Sequence, residues 1–450
     1  MIRIFSVCLL ATITAFSQPS VPIKWACIGN SITAGAYPGL LATKLGPSFT
    51  MENDGVSSMT MLKSGDFSYW TGGRLTNVFA LRPDIITIAL GTNDSKPINW
   101  DDSVNFIRDY TAMVDTLLRI VPTPQIWLVL PAPAWKNEGG TQQATLIRGS
   151  VIRNSIIPRI RQVATTKGLK IIDLNTPLTN SLNLFLPDSI HPSAAGDDSI
   201  ASIIFRTFKA NAIRVACIGN SITQGNNWDL NSYPARLGML LGRNYFVENE
   251  GVSGATLQKA GDLPYWTQQR FRNAFALQPN FITIKLGTND TKPQNWNNPR
   301  FLTDLRAMTD TLKAMPSRPT VWLCLPVPIW PNTYGINSTI MQNETIPLIR
   351  QVGTEKSSVV IDLNTPMMPF QSYFADGVHP NNAGLDSIAH WIYRVLRTAP
   401  VALKPAPEKG FGIFHSSAKR LRSITLDGRK ISQKQRTVGP AVLPVKTENK

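Results

Sequence analysis

Apolar and polar positions divide the chain into two kinds of segment, short apolar runs and longer amphipathic stretches. In the first half, the strand-length apolar runs cover residues 23–28, 49–52, 85–90, 125–130 and 169–173. Segments with helical spacing lie between or after them, at residues 104–120, 150–167 and 194–209. Continuously apolar strands that alternate with helices are typical of a parallel sheet covered on both faces. The pattern therefore predicts an α/β fold.

The second half of the chain repeats the first, with a period of about 190 residues. Three motifs recur in the same order: Ala-Cys-Ile-Gly-Asn-Ser-Ile-Thr at 26–33 and 216–223, Leu-Gly-Thr-Asn-Asp at 90–94 and 286–290, and Ile-Asp-Leu-Asn-Thr-Pro at 172–177 and 361–366. A His-Pro pair follows each copy of the third motif. This period is far longer than a solenoid repeat, so it indicates a duplicated domain. We predict tandem domains over residues 22–210 and 211–398.

The start of the chain has the features of a signal peptide. An apolar run over residues 4–16 follows Arg3, and the small residues Ala15 and Ser17 precede a cleavage point. The run is too short to cross a bilayer comfortably, and no other segment has the composition of a membrane span. We therefore predict that residues 1–17 are removed and that the protein is secreted, to the medium, the cell surface or the periplasm.

Basic residues give the chain a formal net charge of +16. Residues 399–450 hold eleven Lys and Arg against three Asp and Glu, a net +8 in one tail. No nucleic-acid-binding motif accompanies the charge, so a solvated basic surface is the better interpretation. The tail begins as a Pro-rich linker, and residues 421–431 resemble the end of a type IX secretion sorting segment. A disordered basic tail and a wall-binding segment are the alternatives.

Three cysteines would remain after signal-peptide cleavage, Cys27, Cys217 and Cys324. All three occur in apolar, strand-like runs. We interpret them as small buried hydrophobic residues and not as disulfide partners.

Ser31 and Ser221 follow apolar strands in a Gly-Asn-Ser turn that opens a helix. A serine on such a turn presents its oxygen outward, and the helix N-terminus favours developing negative charge. A single serine in this setting would more often be a helix cap.

An Asp-x-x-His-Pro segment near the end of each repeat favours a catalytic role for these serines over a capping role. Asp188 lies three residues before His191, and Asp376 three before His379. A serine nucleophile needs a base, and the base needs a carboxylate that holds its ring. Because ligands of parallel sheets bind beyond the carboxyl ends of the strands, these segments can meet on one rim with the serine turn.

Acyl transfer also requires hydrogen-bond donors for the oxyanion. The Gly-Thr-Asn-Asp motif after the third strand offers a side-chain amide, and a glycine after the second strand offers a backbone N–H. The candidate donors are Asn93 and Asn289, and Gly55 and Gly251. The aspartates that follow the asparagines are interpreted as loop-structuring residues, Asp94 and Asp290.

Together these motifs resemble the SGNH (GDSL-type) hydrolase superfamily, whose four blocks occur here in order and in both repeats. One departure is that the first block reads Gly-Asn-Ser-Ile where many members have Gly-Asp-Ser-Leu. The resemblance implies two three-layer α/β/α domains, each with a five-stranded parallel sheet, no metal or other cofactor, and an acyl-serine intermediate. It implies that the serines attack the ester, the histidines act as bases, the Asp-x-x-His aspartates orient them, and the Gly and Asn residues bind the oxyanion.

The superfamily includes lipases, thioesterases and polysaccharide esterases, so the fold alone does not choose a substrate. We predict a secreted esterase that removes acetyl or other small acyl groups from an acetylated oligo- or polysaccharide. Tryptophans in loops could stack on sugar rings, although loop packing is an equal alternative. They are Trp70, Trp100, Trp135, Trp228, Trp266, Trp296 and Trp330. The rival functions are a lipase or thioesterase on the same fold and a non-catalytic glycan-binding protein.

The repeats differ in length beside the predicted rim. The second inserts residues 226–231 after its serine turn, and the first is longer by about six residues near 136–149. We therefore predict two sites with overlapping but distinct preferences.

Overall fold

Two five-stranded parallel sheets lie in tandem along the chain in a computed structural model, which describes residues 20–100, 103–135, 146–225 and 231–398. Both sheets belong to one compact unit. The predicted signal peptide, Trp228 and the basic tail with its sorting-segment resemblance lie outside the described residues.

The strands of the first sheet match the predicted apolar runs to within three residues at either end. They are β1 Ile23–Gly29, β2 Phe49–Gly55, β3 Ile85–Ala89, β4 Gln125–Leu130 and β5 Lys170–Asp173. The strands of the second sheet are β6 Ile213–Gly219, β7 Tyr245–Gly251, β8 Phe281–Lys285, β9 Thr320–Cys324 and β10 Val360–Ile361. The strand order is β2-β1-β3-β4-β5 in the first sheet and β7-β6-β8-β9-β10 in the second.

The helices of the first repeat are α1 Ser31–Ala34, α2 Tyr37–Leu45, α3 Arg74–Leu81, α4 Ser103–Leu117, α5 Gly149–Val151, α6 Ile157–Lys167, α7 Asn175–Leu178 and α8 Ala194–Asn211. Those of the second are α9 Ser221–Gln224, α10 Tyr233–Leu241, α11 Gln269–Leu277, α12 Asn298–Lys313, α13 Ser338–Ile340, α14 Ile346–Glu355 and α15 Asn382–Leu396. Single turns of 3-10 helix cover Asn93–Ser95, Leu182–Leu184, Tyr265–Thr267, Asn289–Thr291, Thr365–Met367 and Gln371–Tyr373, and π-helical turns cover Ile152–Ile156 and Met341–Thr345.

Each sheet is buried on both faces, which explains its continuously apolar strands. In β1, Trp25 and Cys27 pack in the cluster that contains α2 and α8, whereas Ala26 and Ile28 pack in the cluster that contains α4 and α6. In the second sheet, the interior strands β6 and β8 are buried along their whole length. The predicted fold, two tandem three-layer α/β/α domains, is confirmed.

The three described cysteines are free and buried, as the apolar runs around them predicted. Within the described part of the chain, none of the helices is both long enough and apolar enough to cross a membrane.

Candidate active site

The nucleophile turn of each domain is set by an asparagine cap. Asn30 precedes α1, and its Oδ1 accepts a hydrogen bond from the backbone N–H of Ile32 at 3.0 Å. Asn220 caps α9 in the same way, at 3.1 Å. The cap satisfies a helix N–H that would otherwise have no partner, and it makes Ser31 and Ser221 the first residues of their helices. The Gly-Asn-Ser sequence therefore folds locally into the turn that the motif predicted.

The structure brings the three triad candidates of the first domain together. His191 Nε2 lies 2.8 Å from Ser31 Oγ, and His191 Nδ1 lies 2.7 Å from Asp188 Oδ2. The other carboxylate oxygen accepts the backbone N–H groups of Ile190 and His191 at 2.9 and 3.0 Å. Partial burial acts to raise the pKa of Asp188, but these hydrogen bonds outweigh it and lower the pKa below its ordinary value. The carboxylate is thus ionised and fixed against the imidazole.

The second domain repeats this geometry and adds a tyrosine. Ser221 Oγ lies 2.9 Å from His379 Nε2, and His379 Nδ1 lies 2.7 Å from Asp376 Oδ2. The backbone N–H groups of Val378 and His379 bind Oδ1, and the Tyr334 hydroxyl donates to Oδ2 at 3.0 Å. Burial opposes the effect of these donors, which lower the pKa of Asp376 to about 2. No sequence motif pointed to Tyr334, because this residue lies in a loop that does not recur in the first domain.

Both triads are open to solvent. The side chains of His191 and Asp188 are 40% and 43% exposed, and those of His379 and Asp376 are 36% and 37% exposed. In the described part of the chain, each triad is therefore accessible to a bulky acyl acceptor.

The asparagine candidates lie in 3-10 turns directly after β3 and β8. Asn93 Nδ2 donates to the Met59 carbonyl, and Asn289 Nδ2 donates to the Ala255 carbonyl, each at 3.1 Å. Because an amide nitrogen carries two hydrogens, this bond fixes the side chain and leaves one donor for a ligand.

The aspartates after these asparagines are fully buried, and they organise the loop that faces the asparagine. Asp94 accepts the backbone N–H groups of Met61 and Leu62 at 3.0 and 2.8 Å, and Asp290 binds the equivalent loop of the second domain. Burial raises the pKa of each carboxyl to about 6 in spite of these bonds. Their geometry agrees with the loop-structuring role expected from the sequence.

The glycine candidates require a correction. The N–H of Gly55 donates to Asn53 Oδ1, and that of Gly251 to Asn249 Oδ1, each at 3.0 Å, so neither is available to an oxyanion in this structure. A Cβ at Gly55 would lie 2.2 Å from the backbone nitrogen of Ala34. These glycines are needed because α1 and α9 pack directly on the ends of β2 and β7.

The backbone three residues further on offers a better donor. Ser58 and Gly254 have left-handed φ angles of 67° and 78°, and the carbonyls of the residues that follow them accept the Asn93 and Asn289 amides. Among the described residues, their N–H groups have no hydrogen-bond partner. Gly254 is a sequence feature that could have indicated this donor in the second domain. The equivalent residue of the first domain is Ser58, so the two repeats do not share a glycine there.

Four of the tryptophans pack within their own domains. The indole N–H groups of Trp70 and Trp266 donate to backbone carbonyls at 3.0 and 2.9 Å. Trp100 and Trp296 pack against phenylalanines, with ring centroids 5.6 and 5.4 Å apart. These contacts favour the packing alternative over a sugar platform.

Trp135 and Trp330 instead support the histidine loops. Their backbone N–H groups donate to the carbonyls of Ser189 and Gly377, which lie between the aspartate and the histidine of each triad, at 3.4 and 3.0 Å. Their rings pack on phenylalanines at 4.8 and 4.9 Å. A contact of these two with substrate stays a prediction.

Comparison with known proteins defines the class. Residues 27–198 and 217–386 each match the GDSL-like lipase/acylhydrolase family, and together they make up most of the chain. The chain belongs to this family of carboxylic ester hydrolases, and the resemblance seen in its motifs is confirmed.

Particular relatives are carbohydrate and aryl esterases. An acetylxylan esterase of Xylanibacter ruminicola is 36% identical over 211 residues, which are 42% of this chain and 44% of the relative, so the match spans less than half of that protein. Among solved structures, a carbohydrate acetylesterase from Sinorhizobium meliloti is 18% identical, with a TM-score of 0.35, over 41% of this chain and 97% of its own. The aryl esterase of M. smegmatis is 19% identical, with a TM-score of 0.35, over the same shares of the two chains.

Proposed function

We propose that the protein removes O-acetyl groups from carbohydrate, with acetylated xylan as the first candidate substrate, and that both domains are catalytic. The observation that carries the proposal is the hydrogen-bonded Ser–His–Asp chain, which occurs in each domain with distances of 2.7–2.9 Å. The acetylxylan esterase relative supports the choice of substrate.

The reaction follows from the geometry. Ser31 Oγ attacks the acetyl carbonyl carbon while His191 Nε2 takes the hydroxyl proton, and Asp188 stabilises the imidazolium. The tetrahedral oxyanion would be bound by the serine N–H, one Asn93 amide hydrogen and the N–H of Ser58. Collapse breaks the bond to the sugar oxygen, and the imidazolium returns the proton to that oxygen.

Water completes the cycle. His191 removes a proton from a water molecule, the hydroxide attacks the acetyl-serine, and acetate leaves as the serine regains its proton. The second domain would perform the same steps with its own serine, histidine, aspartate and asparagine.

The open triads support a polymeric acyl acceptor. A histidine side chain that is 36–40% exposed stands at the surface, where one residue of a long glycan can present its acetyl group. A lipase would need a broad apolar surface to bind a long acyl chain. The described loops at the triads present hydrogen-bonded turns with single exposed apolar side chains such as Leu186 and Tyr334.

The decisive experiment measures acetate release from acetylated xylan by the wild type, Ser31→Ala, Ser221→Ala and the double variant. We expect each single variant to keep part of the activity and the double variant to lose it by at least about a thousandfold. Matched controls are Ser199→Ala and Ser387→Ala, because these partly exposed serines occupy equivalent positions in α8 and α15.

The outcomes separate the alternatives. Hydrolysis of long-chain esters in preference to acetylated xylan would favour a lipase or thioesterase. Binding of xylan by wild type and double variant alike, without acetate release, would favour a glycan-binding protein and overturn the proposal.

Export is part of the same proposal and rests on the N-terminal sequence. We expect the mature protein outside the cytoplasm with residues 1–17 removed. N-terminal sequencing of protein recovered from the cell envelope and the medium tests this, and a mature chain that begins at Met1 would contradict it.

A further inference from the structure

Tyr334 contacts two members of the second triad at once. Its hydroxyl donates to Asp376 Oδ2 at 3.0 Å, the same oxygen that lies 2.7 Å from His379 Nδ1. Its ring packs edge-on against the imidazole, with centroids 5.2 Å apart and an interplanar angle of 87°. The side chain is nevertheless 46% exposed, so it stands at the mouth of the site.

The loop that carries Tyr334 is held by its own hydrogen bonds. Asn332 Oδ1 accepts the backbone N–H groups of Tyr334 and Ile336 at 3.0 and 3.3 Å. Asn332 Nδ2 donates to the carbonyls of Trp330 and Ile336 at 3.0 and 3.1 Å. The tyrosine therefore projects from an ordered turn, and its contact with the triad follows from the loop geometry.

The same loop packs closely on the turn between the aspartate and the histidine. The N–H of Trp330 donates to the Gly377 carbonyl at 3.0 Å. A Cβ at Gly377 would lie 2.3 Å from the Pro331 carbonyl oxygen, so a glycine is needed for this approach. The loop and the triad turn form one packed substructure at the rim.

The first domain has no tyrosine in the segment that corresponds to the Tyr334 loop. This segment, 136–145, reads Lys-Asn-Glu-Gly-Gly-Thr-Gln-Gln-Ala-Thr. Among the described residues, Asp188 Oδ2 has a hydrogen bond only with His191. The two sites therefore share a triad but differ in what surrounds the carboxylate.

We infer that Tyr334 is a positioning residue of the second active site, acting on His379 through Asp376, and that it makes the pH dependence of the two sites different. The inference rests on the proposed function. The orientation of Asp376 is already fixed by two backbone N–H groups on Oδ1, so the tyrosine acts mainly on charge. A hydroxyl that donates to Oδ2 shares its negative charge, which weakens the stabilisation of the protonated imidazole. Without the hydroxyl, the second site should therefore lose activity at a higher pH on the acid side.

Among the described residues, one pair of charged side chains lies beside the second triad. On the helices that pack beside it, α10 and α15, Arg236 and Asp386 form an ion pair at 2.6 Å. The titratable groups that bear on Asp376 are His379 and Tyr334. Substitution of Tyr334 is therefore the direct test of its effect on the second triad.

The test compares Ser31→Ala with Ser31→Ala/Tyr334→Phe, so that only the second site works. The readout is kcat/KM for an aryl acetate between pH 4 and 9. We expect the midpoint of the acid limb to move up by about half a pH unit, with kcat/KM about threefold lower on that limb. The phenylalanine keeps the ring, so a purely structural effect would instead lower kcat/KM equally at every pH.

Two controls make the result specific. Tyr334→Phe in the Ser221→Ala background should leave the first site unchanged, and Thr333→Ala, at the exposed neighbouring position, should leave the second unchanged. An unmoved acid limb in Ser31→Ala/Tyr334→Phe would overturn the inference. If Ser31→Ala itself has no activity, the proposed function of the second domain fails, which is a separate outcome.

Discussion

Lys285 is a buried lysine at the end of a central strand. It ends β8, where the register-equivalent residue of the first domain is Ala89. Its side chain is 1% exposed, and Nζ has no hydrogen-bond partner among the described residues. Burial lowers the pKa of Lys285 to about 8. A lysine that must lose its proton or stay charged in an apolar layer reduces the stability of the second domain.

We predict that Lys285→Met stabilises the protein. Methionine has a similar length and needs no solvation, so the gain below pH 8 should be on the order of 1–3 kcal/mol. Burial lowers the pKa of Lys285 from 10.5 to about 8, so the wild type loses stability as the pH falls from 10.5 to about 8 and none further below that. The difference between variant and wild type should therefore be largest below pH 8 and shrink above it.

Thermal unfolding of both proteins from pH 6 to pH 9.5 measures this difference. Ala89→Met in the first domain is the control, because it adds a similar side chain where no lysine is removed. A stability difference that does not change with pH would contradict the assigned cause.

At the scale of elements, the position of Ser31 depends on a close contact between β2 and α1. A Cβ at Gly55 would lie 2.2 Å from the Ala34 nitrogen and 2.4 Å from the Thr33 carbonyl carbon. Both atoms belong to the short helix that begins with Ser31, so any displacement of this helix moves the proposed nucleophile.

We predict that Gly55→Ala lowers kcat/KM of the first site by at least about tenfold and destabilises its domain by roughly 1–3 kcal/mol. The measurement uses the Ser221→Ala background, so that only the first site contributes. Gly39→Ala is the matched control, because nothing lies within 4 Å of a Cβ there and alanine favours the helix. Equal activity of the two variants would show that α1 can shift without consequence.

The elements and the triads could be predicted because their signals are local and repeated. An apolar strand such as β1 has a clear pattern, and each Asp-x-x-His segment recurs with its serine turn. The oxyanion donors could not be predicted as reliably, since the sequence does not say which N–H groups already have partners. Gly55 is bound to Asn53, whereas the free N–H belongs to Ser58. Tyr334 lies in an unrepeated loop, and its contacts arise only from the folded chain.

At the scale of the whole molecule, the two domains share part of their hydrophobic core. Phe205 of α8 packs edge-on against Phe246 of β7, with centroids 5.6 Å apart. Lys209 lies over both rings and forms an ion pair with Glu248 at 3.1 Å. The last helix of the first domain thus covers the edge strand of the second. The duplicated domains should therefore unfold together.

We predict that Phe246→Ala, although it lies in the second domain, lowers the thermal stability of both sites. The ring is buried, and its removal should cost about 3–5 kcal/mol. The residual activity of the Ser221→Ala and Ser31→Ala backgrounds after heating reports on the first and second domain separately. Both inactivation midpoints should fall by a similar amount, and Phe67→Ala, at an exposed ring, should leave them unchanged. If only the second site becomes heat-sensitive, the domains are independent folding units, and their contact serves orientation and not stability.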